Sequence, residues 1–470
     1  MPAPEPGTVL DLTATRRIHV VGVGGAGMSA YAAILAEMGH RVSGSDLHEH
    51  SRLDRLRLLG VDCLVPQVAQ NVPADADAVV MSSAVPRTNV EVRAAEDAGI
   101  PVLSRADALA GIVAARRGLG VAGTHGKTTT TSMITLILRA AEMHPSFLVG
   151  SELNEVGTNA GLDSGEWLIV EADESDGTFL RLSLDAAIVT NIDHDHLWYW
   201  GDMERLEDAF ERFIDAVEGP VALCADDPKT RALAATRPDA ITYGWSEDAR
   251  YRARDYRGGR GGSSFVLDRD GVELGEVRLP VVGMHNAQNA AGAAAMTMEL
   301  GVGFESVQNA LAGFGGVARR FQHRGEIDGV TMIDDYALLP PEIQATIRAA
   351  SEGGWGRIIA VFQPFRYART AIMWREFADA FVGADQVILT DVCGFHEQPI
   401  PGVTGHLVLN AVLDAHPELP VAYFPHRAEL VKLIPGYARE GDLVLTLGGG
   451  DITTLADDLL AEAHSRGAGA

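Results

Sequence analysis

An α/β fold of parallel sheets in three domains is what this sequence predicts, and three observations carry the prediction. Short β-branched runs end in glycine or an acid, stretches of helical periodicity separate them, and 470 residues suffice for about three domains. In the first segment, residues 17–22 (RIHVVG) read as a buried strand, and the GGAGMSAYAAILAEMGH that follows reads as a helix stopped at Gly39. Further strands are expected at 42–46 (VSGSD), 78–85 (AVVMSSAV) and 101–104 (PVLS). A second strand–loop–helix unit opens at 118–142, followed by strands at 168–175 (LIVEADES) and 185–193 (DAAIVTNID). Residues 250–280 alternate apolar and polar and are broken by glycines and an Asp-Gly pair, the pattern of inserted β-hairpins. The strand–helix rhythm resumes at 357–364, 386–392, 420–425 and 442–451. Boundaries near Arg116 and Ala318 give domains of residues 1–116, 117–318 and 319–470.

Composition narrows the function classes. Lys plus Arg number 38 against 64 Asp plus Glu, a net charge of −26 that would repel a nucleic-acid backbone. Cys63, Cys224 and Cys393 are too far apart in sequence for a CxxC zinc site or a disulfide framework. No run approaches the ~20 apolar residues of a membrane span, and the first residues lack the apolar core of a signal peptide. A cytoplasmic enzyme with no membrane or nucleic-acid partner, a monomer or homodimer, is the expectation.

Two glycine loops carry the chemistry. Gly22, Gly24, Gly25 and Gly27 lie between a strand and a helix, where glycines let a helix N-terminus approach a diphosphate. Asp46 closes the next strand, in the place of a ribose-binding acid, and Ser82 and Ser83 follow a third strand as possible phosphate donors or as a plain loop. Taken alone, this set suits a dehydrogenase as well as other nucleotide binders. The second loop, Gly123-Thr124-His125-Gly126-Lys127-Thr128-Thr129, is a phosphate loop in mechanism. Its backbone N–H groups would cradle phosphates, Lys127 supplies positive charge, and Thr128 can ligate Mg2+. Acids and histidines end the following strands: Glu171, Asp173, Glu174 and Asp176, then Asn191, Asp193, His194, Asp195 and His196. Such clusters at strand ends should face the phosphate loop and suit Mg2+, with solvated turns as the alternative. Asn286 and Asn289 open an Ala-rich helix, as a cap or as readers of an adenine edge, and arginines at 319, 320, 366 and 369 suit a carboxylate or phosphoryl group.

In order, GVGGAGMS, GTHGKTTTTSM, EADESDGTF, NIDHDH, GMHNAQNA, ARRFQHRGE, DDY, QPFRYART, PIPGVTG and LTLGGGDI resemble the Mur ligase family from residue 17 to about 456. The resemblance implies a Rossmann-like UDP-binding domain, a central P-loop ATPase domain with inserted β-hairpins, and a C-terminal Rossmann-like domain. It implies an ATP-dependent ligase that activates a carboxylate as an acyl phosphate and joins it to an amine. UDP-N-acetylmuramate and L-alanine are its expected substrates, in peptidoglycan synthesis. It assigns ATP to Gly123, Thr124, Gly126, Lys127, Thr128, Thr129, Asn289 (adenine), Arg320 and Asp335 (ribose). Mg2+ goes to Thr128, Glu171 and His196, and the UDP-sugar to Gly22, Gly24, Gly25, Gly27, Asp46, Ser82, Ser83 and His125. Lys127, Arg366 and Arg369 are the expected catalytic residues.

The chain departs from the family pattern in one region above all. Where the family reads DDYGHHPTE, this sequence has Asp334-Asp335-Tyr336-Ala337-Leu338-Leu339-Pro340-Pro341-Glu342, and QPHRY becomes Gln363-Pro364-Phe365-Arg366-Tyr367. Trp198 replaces an acid after His196, and Cys393, Phe395 and His396 fall in a similarly altered stretch. Either the ligase keeps its reaction among changed neighbours, or it is a paralogue that joins a different acid or amine. A non-catalytic UDP-sugar-binding homologue is the remaining alternative.

Overall fold

The structure is a computed structural model that describes residues 9–395 and 397–467; His396 lies outside the described residues. The chain separates into two compact units. The first runs through Arg254 and takes in Leu267–Gly275 and Gln288–Leu311; the second comprises Asp255–Val266, Glu276–Ala287 and the chain from Ala312 onward.

The first sheet contains β1 (Arg17–Val21), β2 (Arg41–Ser45), β3 (Asp62–Leu64), β4 (Ala78–Met81) and β5 (Val102–Ser104) in the order β3-β2-β1-β4-β5. All its pairings are parallel. The strand order reverses beside β1, and crevices form at the carboxyl ends of strands where it does. The helix Ala26–Glu37 starts there, after the glycine loop.

The second sheet contains β6 (Arg117–Ala122), β7 (Ser146–Leu153), β8 (Thr158–Gly161), β9 (Trp167–Glu171), β10 (Ala186–Val189), β11 (Val221–Cys224), β12 (Ile241–Gly244), β13 (Tyr251–Gly259), β14 (Gly262–Arg269) and β15 (Val272–Leu279). Their order is β15-β14-β13-β12-β11-β10-β6-β9-β7-β8. β6 lies between β9 and β10 and runs parallel to both, so the loops after these strands open on one edge. Two-residue links join β13 to β14 and β14 to β15, as the expected hairpins require. Asp270 and Gly271 both take positive φ in the second link, the conformation a tight hairpin turn demands.

The third sheet contains β16 (Gln322–Ile327), β17 (Val330–Asp335), β18 (Ile358–Gln363), β19 (Gln386–Leu389), β20 (Val421–Tyr423) and β21 (Leu443–Gly448), ordered β16-β17-β21-β18-β19-β20. β16 is antiparallel to β17 and the remaining pairs are parallel. β18 is apolar on both faces because both are covered: Ala360 and Phe362 enter one core cluster, Ile359 and Val361 the other. Every strand expected from sequence is present. β3, β7, β8, β11, β12, β16 and β17 were not anticipated. No helix among the described residues is long and apolar enough to cross a membrane.

Candidate functional site

The phosphate loop bridges β6 and the helix Lys127–Ala140. Gly123 (φ +126°) and Gly126 (φ +82°) take conformations closed to most other residues. A Cβ on Gly126 would lie 2.6 Å from Asn289 Oδ1, so the Asn289 amide packs directly over the loop. The loop is laced to the end of β10. His125 N–H donates to Asn191 Oδ1 (2.8 Å), the Thr190 hydroxyl donates to His125 O (2.6 Å), and Asp193 N–H donates to Thr124 Oγ1 (2.8 Å). Asp193 also pairs with His125 Nε2 at 3.4 Å, a hydrogen bond that keeps its carboxyl below the usual range.

Lys127 folds back over this loop. Its Nζ donates to Gly123 O (2.6 Å) and to Glu174 Oε2 (2.8 Å), with its side chain only 15% exposed and that of Glu174 1%. Burial opposes the ammonium charge, but Glu174 and Asp173 outweigh it and hold the Lys127 pKa above the ordinary lysine value. On β9, Glu171 accepts from Gly150 N–H (2.6 Å) and from the Thr128 hydroxyl. Its pKa is raised, because loss of hydration at the sheet edge exceeds the stabilisation these partners give its charge. Asp173, Glu174 and His196 place one ligand atom each within 4.8 Å of one another, and His196 Nε2 lies 3.2 Å from Asp195 and 3.8 Å from Glu174. Hard oxygens with one imidazole nitrogen are a donor set that Mg2+ accepts, and a carboxyl pushed up by dehydration is one a cation would restore to its charged form. These residues fit the metal.

At the first sheet, Gly22 takes φ +79° and Gly24 N–H donates to Asp46 Oδ2 (2.9 Å). Asp46 therefore closes the glycine loop with its own carboxylate, and His50 lies against Gly24 beside it. Ser82 and Ser83 line a cavity of about 330 Å3, together with Arg87, Arg105, Arg181 and Thr178. Arg105 reaches Asp173 and Asp176, each at 3.6 Å, while its buried Nε has no hydrogen-bond partner. Three guanidinium groups around such a cavity suit an anionic ligand.

In the second unit the carboxyl ends of β17, β18 and β21 adjoin. Asp335 ends β17, accepts from Phe321 N–H (2.8 Å), and is pushed up to about 7 by burial despite the Arg320 charge. Arg319 and Arg320 stack on Tyr336, at 4.4 Å and 5.5 Å from the ring centre. After β18, Arg366 adopts φ +71° and its N–H donates to Cys393 O (2.8 Å). Arg369 is half-buried in the helix Tyr367–Met373. The two leucines of the altered motif part company. Leu339 is 3% exposed and joins the core, while Leu338 meets Tyr336 and Phe365 over Gly449.

Three family models match consecutive segments: "Mur ligase family, catalytic domain" over residues 17–117, "Mur ligase middle domain" over 121–297, and "Mur ligase, glutamate ligase domain" over 319–450. The UDP-N-acetylmuramate–L-alanine ligase of Rubrobacter xylanophilus is 44% identical over 450 residues, 95% of this chain and 99% of its own. The chain belongs to the Mur ligase family. The ligase of the same name from Pelotomaculum thermopropionicum is 42% identical over 95% of this chain and 97% of its own. The crystal structure of the UDP-N-acetylmuramate–alanine ligase of Thermotoga maritima superposes with a TM-score of 0.81 at 29% identity, covering 96% of this chain and all of that one.

Within this Mur ligase, the structure brings Lys127, Thr128, Glu171, His196 and Asn289 to one edge of the second sheet. His125 lies there too, against Asp193, rather than at the first sheet's glycine loop. Arg320, Asp335, Arg366 and Arg369 belong to the second unit. Sequence reasoning overlooked Arg87, Arg105 and Arg181. Single arginines spread across 95 residues carry no pattern, and only tertiary packing gathers them. Glu174, for which the sequence leaves a cation ligand and a solvated turn open, is buried against Lys127.

Proposed function

We infer that this Mur ligase joins the carboxyl group of UDP-N-acetylmuramate to the amine of L-alanine at the expense of ATP, the ligation for which its relatives are named and a step of peptidoglycan synthesis. The observation that carries the reading is the Lys127 loop, with its glycine conformations, its lacing to β10 and the acid–histidine group beside it. In the first step a carboxylate oxygen attacks the terminal phosphorus of ATP and ADP departs. In the second, the amine nitrogen attacks the acyl carbon, the carbon–oxygen bond to phosphate breaks, and the amine loses its proton.

The loop N–H groups and the Lys127 ammonium neutralise charge that builds on the phosphoryl oxygens during transfer. Thr128, Glu171, Asp173, Glu174 and His196 would hold Mg2+, which supplies further charge neutralisation when bound. Asn289 borders the nucleotide loop, and Asp335 and Arg320 are assigned to ribose and nucleotide. Gly22, Gly24, Gly25 and Gly27 and the arginine-lined cavity beside Ser82 and Ser83 are assigned to the UDP-sugar. Arg366 and Arg369 are assigned to the amino-acid carboxylate. We place the functional domains at 1–116, 117–318 and 319–470 and the enzyme in the cytoplasm.

Isotope transfer tests the reading. With 18O in the carboxylate of UDP-N-acetylmuramate, ATP and L-alanine, the released inorganic phosphate should carry one labelled oxygen for each amide formed. Amide formation with unlabelled phosphate would overturn the acyl-phosphate route.

A further inference from the structure

At the carboxyl edge of the third sheet, apolar side chains gather around one glycine. Leu338, Tyr336 and Phe365 converge so closely over Gly449 that a Cβ on this glycine would lie 3.1–3.2 Å from each of them. Phe365 continues the wall to Phe395, with ring centres 5.6 Å apart. Phe395 is 62% exposed although its backbone sits at φ +57°, a conformation that costs a bulky residue energy without the return of burial. Arg366, at φ +71°, is held in the same unfavoured region on the adjoining loop, and its N–H bond to Cys393 O ties the two loops together. Its guanidinium lies 5.9 Å from the Phe365 ring centre. A positive charge, an apolar cluster of half-buried Leu338 and buried Phe365 that opens to solvent at Phe395, and two strained residues thus meet at strand ends, where ligands of parallel sheets bind.

We propose that this edge is a specificity surface that binds an amino acid by its carboxylate at Arg366 and its side chain against Leu338, Phe365 and Phe395, favouring apolar side chains larger than the methyl of alanine. The inference rests on the ligase reading above and deepens it. L-alanine is a substrate and leaves the Phe395 end of the wall uncovered. Each added methylene removes more apolar surface from water, worth about fourfold in binding. A hydroxyl in the same place finds no hydrogen-bond partner among Leu338, Phe365 and Phe395 and loses its hydration.

The test is phosphate release by the full chain with ATP, Mg2+ and UDP-N-acetylmuramate, and glycine, L-alanine, L-2-aminobutyrate, L-norvaline or L-serine as the amine. The expected kcat/KM rises about fourfold per methylene from alanine to norvaline, with serine below 2-aminobutyrate. In Phe395→Ala the norvaline preference over alanine, a ratio that does not depend on how much of the chain is folded, collapses through a raised KM for norvaline. L-alanine turned over tenfold better than norvaline overturns this inference and leaves the ligase intact, as does an unchanged preference in Phe395→Ala. No amine-dependent phosphate release with any amino acid overturns the ligase reading, and this inference with it.

Discussion

At the carboxyl edge of β6, β9 and β10, Lys127 pairs with Glu174, while Asp173 and His196 bring ligand atoms within 4.8 Å of Glu174, and Glu171 feels the Lys127 charge. At the carboxyl edge of β17, β18 and β21, Leu338, Tyr336 and Phe365 meet over a glycine instead. The backbone frame is the same in both places: parallel strands buried on both faces, with loops opening on one side. The difference lies in what each edge must stabilise. A phosphoryl group in transfer spreads charge over several oxygens, and fixed charges act on it strongly where water is sparse. An apolar amino-acid side chain has no charge to read, so shape and apolar area are what a protein can offer it.

The largest effect expected from breaking this contrast is at Lys127. Lys127→Ala should lower kcat for phosphate release by on the order of 10³-fold, and a thermal melt should show the variant still folded. Next is Glu171→Gln, which keeps the hydrogen-bonding shape and removes the charge; a Mg2+ titration of activity should require about 10- to 100-fold more metal. An unchanged titration would remove Glu171 from the cation site.

The third prediction concerns pH at the apolar edge. The pKa of Asp335 in the fold, about 7, stands above the ordinary 3.8, so folding favours its protonated form. Its contribution to stability is fully present below about pH 4 and is lost as pH rises toward about 7. Melting curves across that window should decline less steeply in Asp335→Asn than in the parent chain. The smallest effect belongs to Gly449→Ala, whose methyl group must displace Leu338, Tyr336 or Phe365 by a few tenths of an ångström. We expect a loss of about 1 kcal/mol in a denaturant titration.

The charged edge was far more legible in the sequence than the apolar one. Gly126, Lys127 and Thr128 follow one another between an apolar run and a helix as in a phosphate loop, although Val121 stands where the strict motif has its first glycine, and acids at the ends of apolar runs mark the edge of a parallel sheet. Nothing local separates Leu338 from Leu339. They are the same residue in adjacent positions, and only the path of the chain after β17 sends one to the core and the other to the surface. Asp46 shows a different limit. Its position after β2 fits a ribose-binding acid, but its carboxylate is engaged by Gly24 N–H, a bond 22 residues apart in sequence that requires the folded loop. The short strands β11 and β12, four residues each, fall below the length at which periodicity can be recognised.

The bonds from Thr190, Asn191 and Asp193 to the loop at Thr124 and His125 have a kinetic consequence. A loop already fastened in its working shape has little entropy left to surrender when a nucleotide arrives, so association is preorganised rather than induced. The amide protons of Thr124 and His125, both bonded to Asn191, should accordingly exchange slowly with deuterated water before any nucleotide is added, and adding one should slow them little further.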